Sequence, residues 1–431
     1  MTSPHATEPR KRPKGLRRLL RILGPGLVTG AADDDPSGIA TYSQTGAQFG
    51  YGQLWTALFM YPLMTAVQEA CARIGAVTKK GIAQVVREHY GRSVLYASVF
   101  LILIANTVNI GADIGAMAAA AGLIVPVPFA AATLLFVAII LLLEIFVPYK
   151  HYVPVLKWLA LSLIVYPLTV LMIHIPWHEV LRATFVPHFE FTFGFFFIIT
   201  GVVGTTISPY MFFWQASEEV EEERAAGMIS RPLSGRFIRN MRIDNAVGMF
   251  ASEFITWCII IVTGTVLNQN GVTNIATAAD AAKALVPLVH TFENAGFIAG
   301  AIFAVGVIGL GLLAVPVLAG SAAYALAEAF HWHEGLYRKF REAHGFYGVI
   351  TIATLVGLLI NFVGIDPMKA LIVTAVLNGV VSIPLIFLII AISSNKEIMK
   401  GHESGMLSKV VLWISFVAVL GAAVGMLGGF L

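Results

Sequence analysis

The strongest constraint on the fold is a run of acidic residues and a proline inside an apolar segment. Residues 33–36 read Asp-Asp-Asp-Pro, and Gly38 follows, within the apolar segment 22–48, which is long enough to cross a bilayer. Each ionised Asp near the bilayer centre costs roughly 2.5–3.5 kcal/mol even on the lenient insertion scale, and proline removes a backbone donor. A membrane tolerates unwound backbone only where protein or a water-filled cavity surrounds it. The stretch therefore predicts a discontinuous helix that holds an acidic site at mid-membrane, as in transporters.

The composition favours a polytopic membrane protein. Of the 431 residues, 57% are hydrophobic and only 12% are charged, whereas soluble domains carry about 25% charged residues. The net charge of +3 gives no indication of nucleic acid as a partner. Cys71 and Cys258 fall in apolar segments, so neither a disulfide framework nor a thiolate metal site is expected. No phosphate-binding loop or nucleophile constellation suggests an enzyme, and no cofactor is expected.

Eleven apolar segments follow one another, and each approaches or exceeds the ~20 residues that a span requires. They lie near 22–48, 51–77, 94–123, 128–148, 152–175, 193–218, 241–268, 294–330, 347–363, 368–394 and 408–430. Lysine and arginine concentrate in alternate loops, so the positive-inside rule places the N-terminus in the cytoplasm. An odd number of spans then places the C-terminus outside the cell membrane. Residues 1–21 are expected to form a basic cytoplasmic tail.

The sixth segment carries a second interruption, Gly-Thr-Thr-Ile-Ser-Pro-Tyr at residues 204–210. Segments one and six are each the first of five, and matched interruptions in two halves are the best sequence pointer to a transporter binding site. Because five is odd, the second set is inverted relative to the first. The predicted fold is an all-α membrane protein of the leucine-transporter type, with one five-helix repeat at 22–175, its inverted counterpart at 193–394, and an additional eleventh helix at 408–430.

The two interruptions resemble motifs of the NRAMP metal-ion transporter family. Residues 35–41, Asp-Pro-Ser-Gly-Ile-Ala-Thr, resemble the first-helix motif Asp-Pro-Gly-Asn, and residues 204–210 resemble the sixth-helix motif, in which Met-Pro-His is usual. The resemblance covers segments one to ten and implies the inverted-repeat fold and divalent-cation transport. The chain also departs from the family: Gly38 replaces a ligating asparagine, Ser208 a ligating methionine and Tyr210 a histidine.

These departures favour a hard cation. A thioether helps to hold Mn²⁺, Fe²⁺ or softer ions, whereas Asp35, Ser208 and the carbonyls released around Ala32 and Thr205 offer only oxygen. Mg²⁺ keeps several waters and binds through one or two carboxylates, and the small Gly38 leaves room for a hydrated ion. The chain therefore resembles the NRAMP-related magnesium-transporter branch. Mn²⁺ is expected to pass as well, and only the resemblance disfavours Ca²⁺.

Segments three and ten supply further polar groups. Asn106, Asn109 and Asp113 share one helical face, which predicts either a polar wall of the ion path or interhelical hydrogen bonds. Hydrogen bonding is favoured for the asparagines and the ion path for Asp113. Asn378 lies where the family places a glutamine near the metal, and it is predicted to be a secondary ligand. The predicted ion path includes Asp34, Asp113, Asn106, Tyr210 and Gln215.

Two predicted ligands have structural alternatives. Asp35 is interpreted as a ligand, and the alternative is that it caps the half-helix that begins at Pro36. Ser208 is interpreted as a ligand, and the alternative is that it only fills space. Asp33 and Asp34 point about 100° apart on a helix, so one is expected to line the inner vestibule and the other to pair or cap.

Charged groups near the ends of the segments receive simpler interpretations. The glutamates within 218–223 are interpreted as a solvated face. Glu69 is placed to pair with Arg73 four residues later, and Glu253, deeper in segment seven, has no assigned role.

Titratable groups for proton co-transport are sparse. Tyr210 replaces a family histidine, Asn106 and Ala116 replace family acids, and residues 346–363 contain no ionisable side chain of the Arg, Lys, Asp, Glu or His type. Asp113 is kept, so the route is thinned and not abolished. The sequence predicts uncoupled Mg²⁺ import by alternating access, to which a 100 mV potential contributes about 4.6 kcal/mol for a divalent ion.

Two other functions stay open. One is a proton-coupled Mn²⁺/Fe²⁺ importer, and the other is an organic-solute (amino-acid) transporter on the same architecture, although the acidic break argues against an anionic substrate. A receptor or scaffold without transport fits the eleven spans poorly. The expected partners are the divalent cation as substrate and the lipid bilayer, and no obligate protein partner is evident.

Overall fold

The computed structural model describes residues 25–147, 161–225, 227 and 233–429, and within them the regular structure is helical, with no strand. The α-helices are α1 (Pro25–Asp33), α2 (Pro36–Phe49), α3 (Trp55–Thr78), α4 (Ile82–His89), α5 (Arg92–Ala121), α6 (Phe129–Phe146), α7 (Val165–Met172), α8 (Trp177–Phe185), α9 (Phe193–Thr206), α10 (Pro209–Ala225), α11 (Gly235–Val266), α12 (Ala278–Ala282), α13 (Ala295–Phe330), α14 (His344–Ile360), α15 (Pro367–Ser394), α16 (Lys396–Met399) and α17 (Met406–Gly428). Short 3-10 helices occur at Leu161–Ile164, Asn268–Asn270, Lys283–Val289 and Phe340–Glu342.

The predicted spans correspond to these helices in chain order. Seven helical stretches of the described residues are long and apolar enough to cross a membrane, and Leu161–Met172 and His344–Ile360 are shorter apolar helices. The first predicted segment forms α1 and α2, and the second forms α3. The beginning of the fifth segment falls on residues 148–160, and the predicted tail is residues 1–21; both lie outside the described residues. The exact limits of the two repeats therefore stay predictions.

Both predicted interruptions are confirmed. Helix α1 ends at Asp33 and α2 begins at Pro36, and in the second half α9 ends at Thr206 and α10 begins at Pro209. A proline is well suited to the first position of a helix, because its missing N–H is an unpaired group there and its fixed φ is already helical. Each proline therefore ends one half-helix and starts the next.

The helices pack across the two halves as an inverted repeat requires. Helix α1 packs on α11, the second span of the second half, and α10 packs on α3, the second span of the first half. The half-helices α2 and α9 both contact α15, and α5 and α13 pack along each other. The broken helices thus lie side by side in the middle of the bundle.

Glycines bring the broken helices into backbone contact with their neighbours. A Cβ on Gly30 would lie 2.4 Å from the carbonyl oxygen of Gly248 in α11. A Cβ on Gly204 would lie 2.0 Å from the carbonyl oxygen of Ala375 in α15. Small residues at helix interfaces allow this approach in membrane proteins, and it holds each break at a defined distance from its supporting helix.

The C-terminal end of α10 differs from its prediction, whereas the predicted pair in α3 is confirmed. Four glutamates at the C-terminal end of α10 are buried, so the prediction of a solvated face is wrong for Glu218, Glu219, Glu221 and Glu223. The reason is packing, because this end of α10 lies against α3 and α13. In α3, Nε of Arg73 lies 3.1 Å from Oε1 of Glu69.

Candidate metal centre

Asp35 occupies the gap between α1 and α2 and is almost completely buried. Its Oδ1 accepts hydrogen bonds from the backbone N–H of Gly38 at 2.7 Å and from the hydroxyl of Ser37 at 2.6 Å. Its Oδ2 accepts a hydrogen bond from Nδ2 of Asn109 at 3.1 Å. The capping alternative is therefore observed, but these bonds use three of about four acceptor positions of a carboxylate. One position is left for a cation.

Helix α5 supplies the next polar groups. Nδ2 of Asn106 donates to the carbonyl of Leu318 at 2.9 Å, and Asn109 donates to Asp35, so both asparagines form the interhelical hydrogen bonds that were favoured for them. Both carboxylate oxygens of Asp113 are buried without a partner, as is Oδ1 of Asn109. Asn109 was not among the predicted ligands; its spacing of four residues from Asp113 was the signal that pointed to it.

At the second break, a side-chain hydroxyl bonds to the backbone carbonyls of the same break. The hydroxyl of Ser208 lies 2.8 Å from the carbonyl of Gly204 and 2.6 Å from that of Thr205, and its single hydrogen serves one of them at a time. The hydroxyl of Tyr210 donates to the carbonyl of Ala32 at 2.9 Å. The carbonyls around Ala32 and Thr205, predicted to be released, thus have partners, because neighbouring hydroxyls reach them.

The space beside Gly38 is filled by Asp33 of α1 and Thr205 of α9. A Cβ on Gly38 would lie 3.1 Å from the carbonyl oxygen of Asp33 and 3.2 Å from Oγ1 of Thr205. The room expected there for a hydrated ion is therefore small in this conformation. Oγ1 of Thr205 is buried and has no hydrogen-bond partner, so at Thr205 the hydroxyl is without a partner, whereas the carbonyl lies within reach of Ser208.

Hydrogen bonds join the half-helices in two pairs. On one side of the breaks, two bonds join α1 to α10: the one from Tyr210 to the carbonyl of Ala32, and one from the hydroxyl of Thr29 to Oε1 of Gln215. Nε2 of Gln215 has no partner. On the other side of the breaks, the hydroxyls of Tyr42 in α2 and Thr206 in α9 lie 3.0 Å apart. Helix α1 is thus tied to α10, and α2 is tied to α9.

Asn378 is buried in α15, and neither of its side-chain polar atoms has a partner. Helix α15 packs on α2, α5 and α9, which carry the groups described above. Unsatisfied buried polar atoms are rare in native proteins and require an explanation such as a water or an ion. Because no cluster of three or more His, Cys, Asp or Glu side chains that could hold a metal occurs in the described residues, a cation here would need amide and hydroxyl oxygens and retained water as well as Asp35.

The two other aspartates of the first break face α11. Oδ2 of Asp33 accepts a hydrogen bond from the hydroxyl of Ser252 at 2.5 Å, and Oδ1 of Asp34 lies 3.3 Å from the same hydroxyl. Asp34 also lines a cavity of about 590 Å³ between α1, α7 and α11. Sequence reasoning did not find Ser252, because a lone serine in an apolar helix carries no spacing signal.

The fold and its paired helix breaks define a multi-pass membrane transporter with the inverted-repeat architecture. The chain belongs to the natural resistance-associated macrophage protein-like (Nramp) family, whose family model matches residues 26–428.

Curated relatives agree with this assignment, and solved structures share the fold. The chain is 24% identical over 418 residues to a divalent metal cation transporter MntH of Caldanaerobacter subterraneus, covering 94% of this chain and 92% of the relative. It is 25% identical over 425 residues to the MntH of Bacillus subtilis, with the same coverage of 94% and 92%. The manganese transporter of Eremococcus coleocola shares the fold with a TM-score of 0.71 at 16% identity, over 97% of this chain and 90% of that one. MhsT in complex with L-phenylalanine has a TM-score of 0.61 at 12% identity, over 93% and 98%.

Proposed function

We propose that this chain transports divalent cations across a cell membrane, with Mg²⁺ as the main cargo and Mn²⁺ as a second one. The observation that carries the proposal is the buried carboxylate of Asp35 at the junction of the two breaks, near oxygen atoms that have no partner. These atoms belong to Asn109, Asp113 and Thr205, and Asn378 adds an amide in the adjoining helix. Family membership supports a metal cargo, because the MntH relatives are named as divalent metal cation transporters.

The chemistry of the donors supports a hard ion. Ser208 presents a hydroxyl at the second break, so neither break offers a thioether or an imidazole within residues 29–41 or 204–210. Carboxylate, amide, hydroxyl and water oxygens suit Mg²⁺ and Mn²⁺, and the absence of sulfur removes an advantage of softer ions. Asp35, Ser208, Thr205 and Asn378 are proposed as ligands, with Ala32 and Gly38 shaping the site.

Uncoupled transport is the second part of the proposal. The phenol of Tyr210 is engaged with the carbonyl of Ala32, and Asn106 with that of Leu318, so two positions that the family uses for titratable groups hold helices together instead. The driving force would then be the ion gradient and the membrane potential. With the N-terminus in the cytoplasm, α1 and α10 form the inner half of the path and α2 and α9 the outer half.

Two alternatives make different predictions. A proton-coupled Mn²⁺ importer would acidify the interior of vesicles as the metal enters. An amino-acid transporter is the alternative raised by the fold shared with MhsT, and it would move solute without any divalent cation as cargo. Family membership disfavours the second alternative.

The test is uptake into proteoliposomes that contain a metal-sensitive dye or a pH-sensitive dye. Wild-type protein is expected to import Mg²⁺ and Mn²⁺ without a pH change, and excess Ca²⁺ is expected to leave Mg²⁺ uptake unaffected. Asp35→Ala is expected to abolish uptake. Asp366→Ala is the matched control, because Asp366 also precedes a proline and caps a helix, accepting from the N–H groups of Met368 and Lys369, but lies at the end of α15.

Each outcome decides one part of the proposal. Equal uptake by wild-type protein and Asp35→Ala would reject the site, and acidification during uptake would reject uncoupled transport. Strong Ca²⁺ inhibition would reject selectivity for Mg²⁺. If only an amino-acid mixture were transported, the cation function itself would be wrong.

A further inference from the structure

The cavity of about 590 Å³ beside the first break combines an apolar wall with a single acidic group. Helices α1, α7 and α11 and the 3-10 helix Leu161–Ile164 line it. Among the described residues of the lining, Asp34 is the one charged side chain and Ser252 is the one hydroxyl. The cavity is therefore an apolar space with a carboxylate at one end.

The carboxylate of Asp34 lacks a partner that matches its charge. Asp34 is 2% exposed, and none of the ion pairs found among the described residues involves it. The hydroxyl of Ser252 lies 3.3 Å from Oδ1 of Asp34 but 2.5 Å from Oδ2 of Asp33, so its single hydrogen serves Asp33. A buried charge without a partner is unfavourable, and the negative end of α1, which ends at Asp33, adds to the negative potential here.

The other end of the cavity opens on the outer surface of the helix bundle. Phe250 and Phe254 of α11 line the cavity and are exposed, as are Leu161 and Ile164 before α7. A surface of exposed apolar side chains on a spanning bundle is covered by lipid. An occupant therefore reaches the cavity through the membrane and needs an apolar body.

The lining disfavours a hydrated metal ion and favours an organic cation. Each water kept on a metal ion needs about two to four polar partners, and the side-chain oxygens in the described lining are those of Asp34 and Ser252 alone. Pockets for small molecules measure about 300–1,000 Å³ and are mostly apolar with a few placed polar groups. A protonated amine carries N–H donors, and a carboxylate accepts them in strong, charge-assisted hydrogen bonds.

We propose that this cavity binds an amphiphilic organic cation, a protonated amine on an aromatic body, with its ammonium group at Asp34 and its body against Phe250 and Phe254. The site is separate from the proposed cargo site at Asp35. An occupant contacts α1 together with α7 and α11, and it therefore holds these helices in one arrangement. Alternating access requires parts of the bundle to move against each other, so the occupant slows transport without competing with the cargo. That slowing, unlike the binding itself, rests on the proposed function.

The test measures the binding of tritiated dibenzylamine, a protonated amine with a phenyl ring on each side, to the full-length protein in lipid nanodiscs. Wild-type protein is expected to bind one molecule per chain above protein-free nanodiscs. Dibenzyl ether has nearly the same shape without the charge and is expected to compete at least tenfold more weakly than unlabelled dibenzylamine. Asp34→Asn is expected to weaken amine binding at least tenfold, and Ala251→Leu, which enlarges a side chain of the cavity wall, is expected to do the same.

Asp113→Asn is the matched control for binding. It also removes a buried carboxylate without a partner, but one on α5, from which no described residue lines the cavity, so its affinity for dibenzylamine is expected to equal that of wild type. In proteoliposomes, dibenzylamine is expected to lower the maximal rate of Mn²⁺ uptake without raising KM. Ala251→Leu is expected to keep uptake and to lose this inhibition.

The proposal would be overturned if wild-type protein showed no saturable binding, or if either Asp34→Asn or Ala251→Leu bound the amine as tightly as wild type. Equal competition by dibenzyl ether would also overturn it, because the cavity would then take up any apolar molecule, lipid included, without recognising charge. Amine binding by a protein that takes up no divalent cation would reject the proposed function and keep this site. Cation uptake that Asp35→Ala abolishes, without any amine binding, would do the reverse.

Discussion

Two regions of the chain each bury several acidic side chains, and they compensate the charge in opposite ways. The first region, here called the end cluster, lies along the C-terminal halves of α3, α10 and α13 and consists of Glu69, Arg73, Lys79, Glu223 and Glu328. Glu69 accepts from both Arg73 and Arg242, and Glu223 pairs with Lys79. Glu328 accepts from the hydroxyl of Ser217 at 2.7 Å and from the backbone of Gln84.

The second region, the central carboxylates, consists of Asp33, Asp34, Asp35, Asp113 and Glu253. It contains no arginine or lysine partner among the described residues, and both oxygens of Asp113 and of Glu253 have no hydrogen-bond partner. The end cluster therefore holds helices together with charges that the chain itself supplies. In the function proposed above, the positive charge that compensates the central carboxylates arrives with the cargo.

The largest expected effect comes from breaking a pair in the end cluster. Glu69→Ala leaves the guanidinium of Arg73, which is 2% exposed, without its carboxylate. Removing one partner of a buried pair costs about 3–5 kcal/mol, although the bonds from Arg73 to the carbonyl of His402 and the hydroxyl of Ser404 persist. The measurement is the free energy of unfolding in detergent, with and without Mn²⁺.

The double variant Glu69→Ala/Arg73→Met is the control, and it is expected to recover much of the lost stability because no unpaired charge is left. Mn²⁺ is expected to raise the stability of wild-type and variant protein equally. If Glu69→Ala were as stable as wild type, the end cluster would not have the structural role assigned to it.

A smaller effect is expected from the central carboxylates, and it depends on metal. Free metal at 100 times its dissociation constant stabilises a folded protein with one site by about 2.7 kcal/mol. Asp113→Asn removes a buried charge that has no partner, so it is expected to raise stability in the absence of metal and to reduce the gain from metal. Thermal unfolding with Mg²⁺ or Mn²⁺ titrated in measures both.

Glu144→Gln is the control for this second prediction. It also removes an unpartnered buried carboxylate, but one on α6, which carries neither break, so the gain from metal is expected to stay as in wild type. An equal gain in Asp113→Asn and wild-type protein would indicate that the central carboxylates are satisfied by something other than the cation.

The contrast between the regions also explains what could be predicted from the sequence. The helix breaks were predictable because proline and aspartate are strongly disfavoured in a lipid-facing helix, which is a local property of residues 33–36 and 204–210. The pair of Glu69 and Arg73 was also predictable from local sequence, because a spacing of four residues fixes the contact within one helix.

Properties that depend on packing between distant helices were not predictable. Burial of Glu221 and Glu223 follows from the contact of α10 with α3 and α13, and nothing in the run of glutamates indicates it. The carbonyl of Ala32 is occupied because Tyr210, 178 residues later, reaches it. The hydrogen bond of Asn109 to Asp35 likewise requires knowledge of which helices touch.

The effect that is smallest at pH 5 and grows with pH concerns Glu334, which follows α13 outside the spans and borders the end cluster. Burial, together with the charges of Glu328 and Glu221, raises its pKa from 4.5 to about 9, and Arg224 and Arg87 oppose the shift only in part. The folded protein therefore keeps a proton on Glu334 that the unfolded chain releases above about pH 4.5. Stability from this group is complete below that pH and is lost as the pH rises towards 9.

Glu334→Gln removes the titration, so the variant is expected to match wild-type stability near pH 5 and to exceed it increasingly up to pH 9. Unfolding in detergent at pH 5, 7 and 9 measures the difference, and Glu342→Gln, an exposed glutamate of the same connection, is expected to follow wild type. Parallel pH curves for wild type and Glu334→Gln would mean that Arg224 and Arg87 compensate Glu334 fully. In that case the compensation found in the end cluster would extend to Glu334 at its border, and the contrast with the central carboxylates would be sharper.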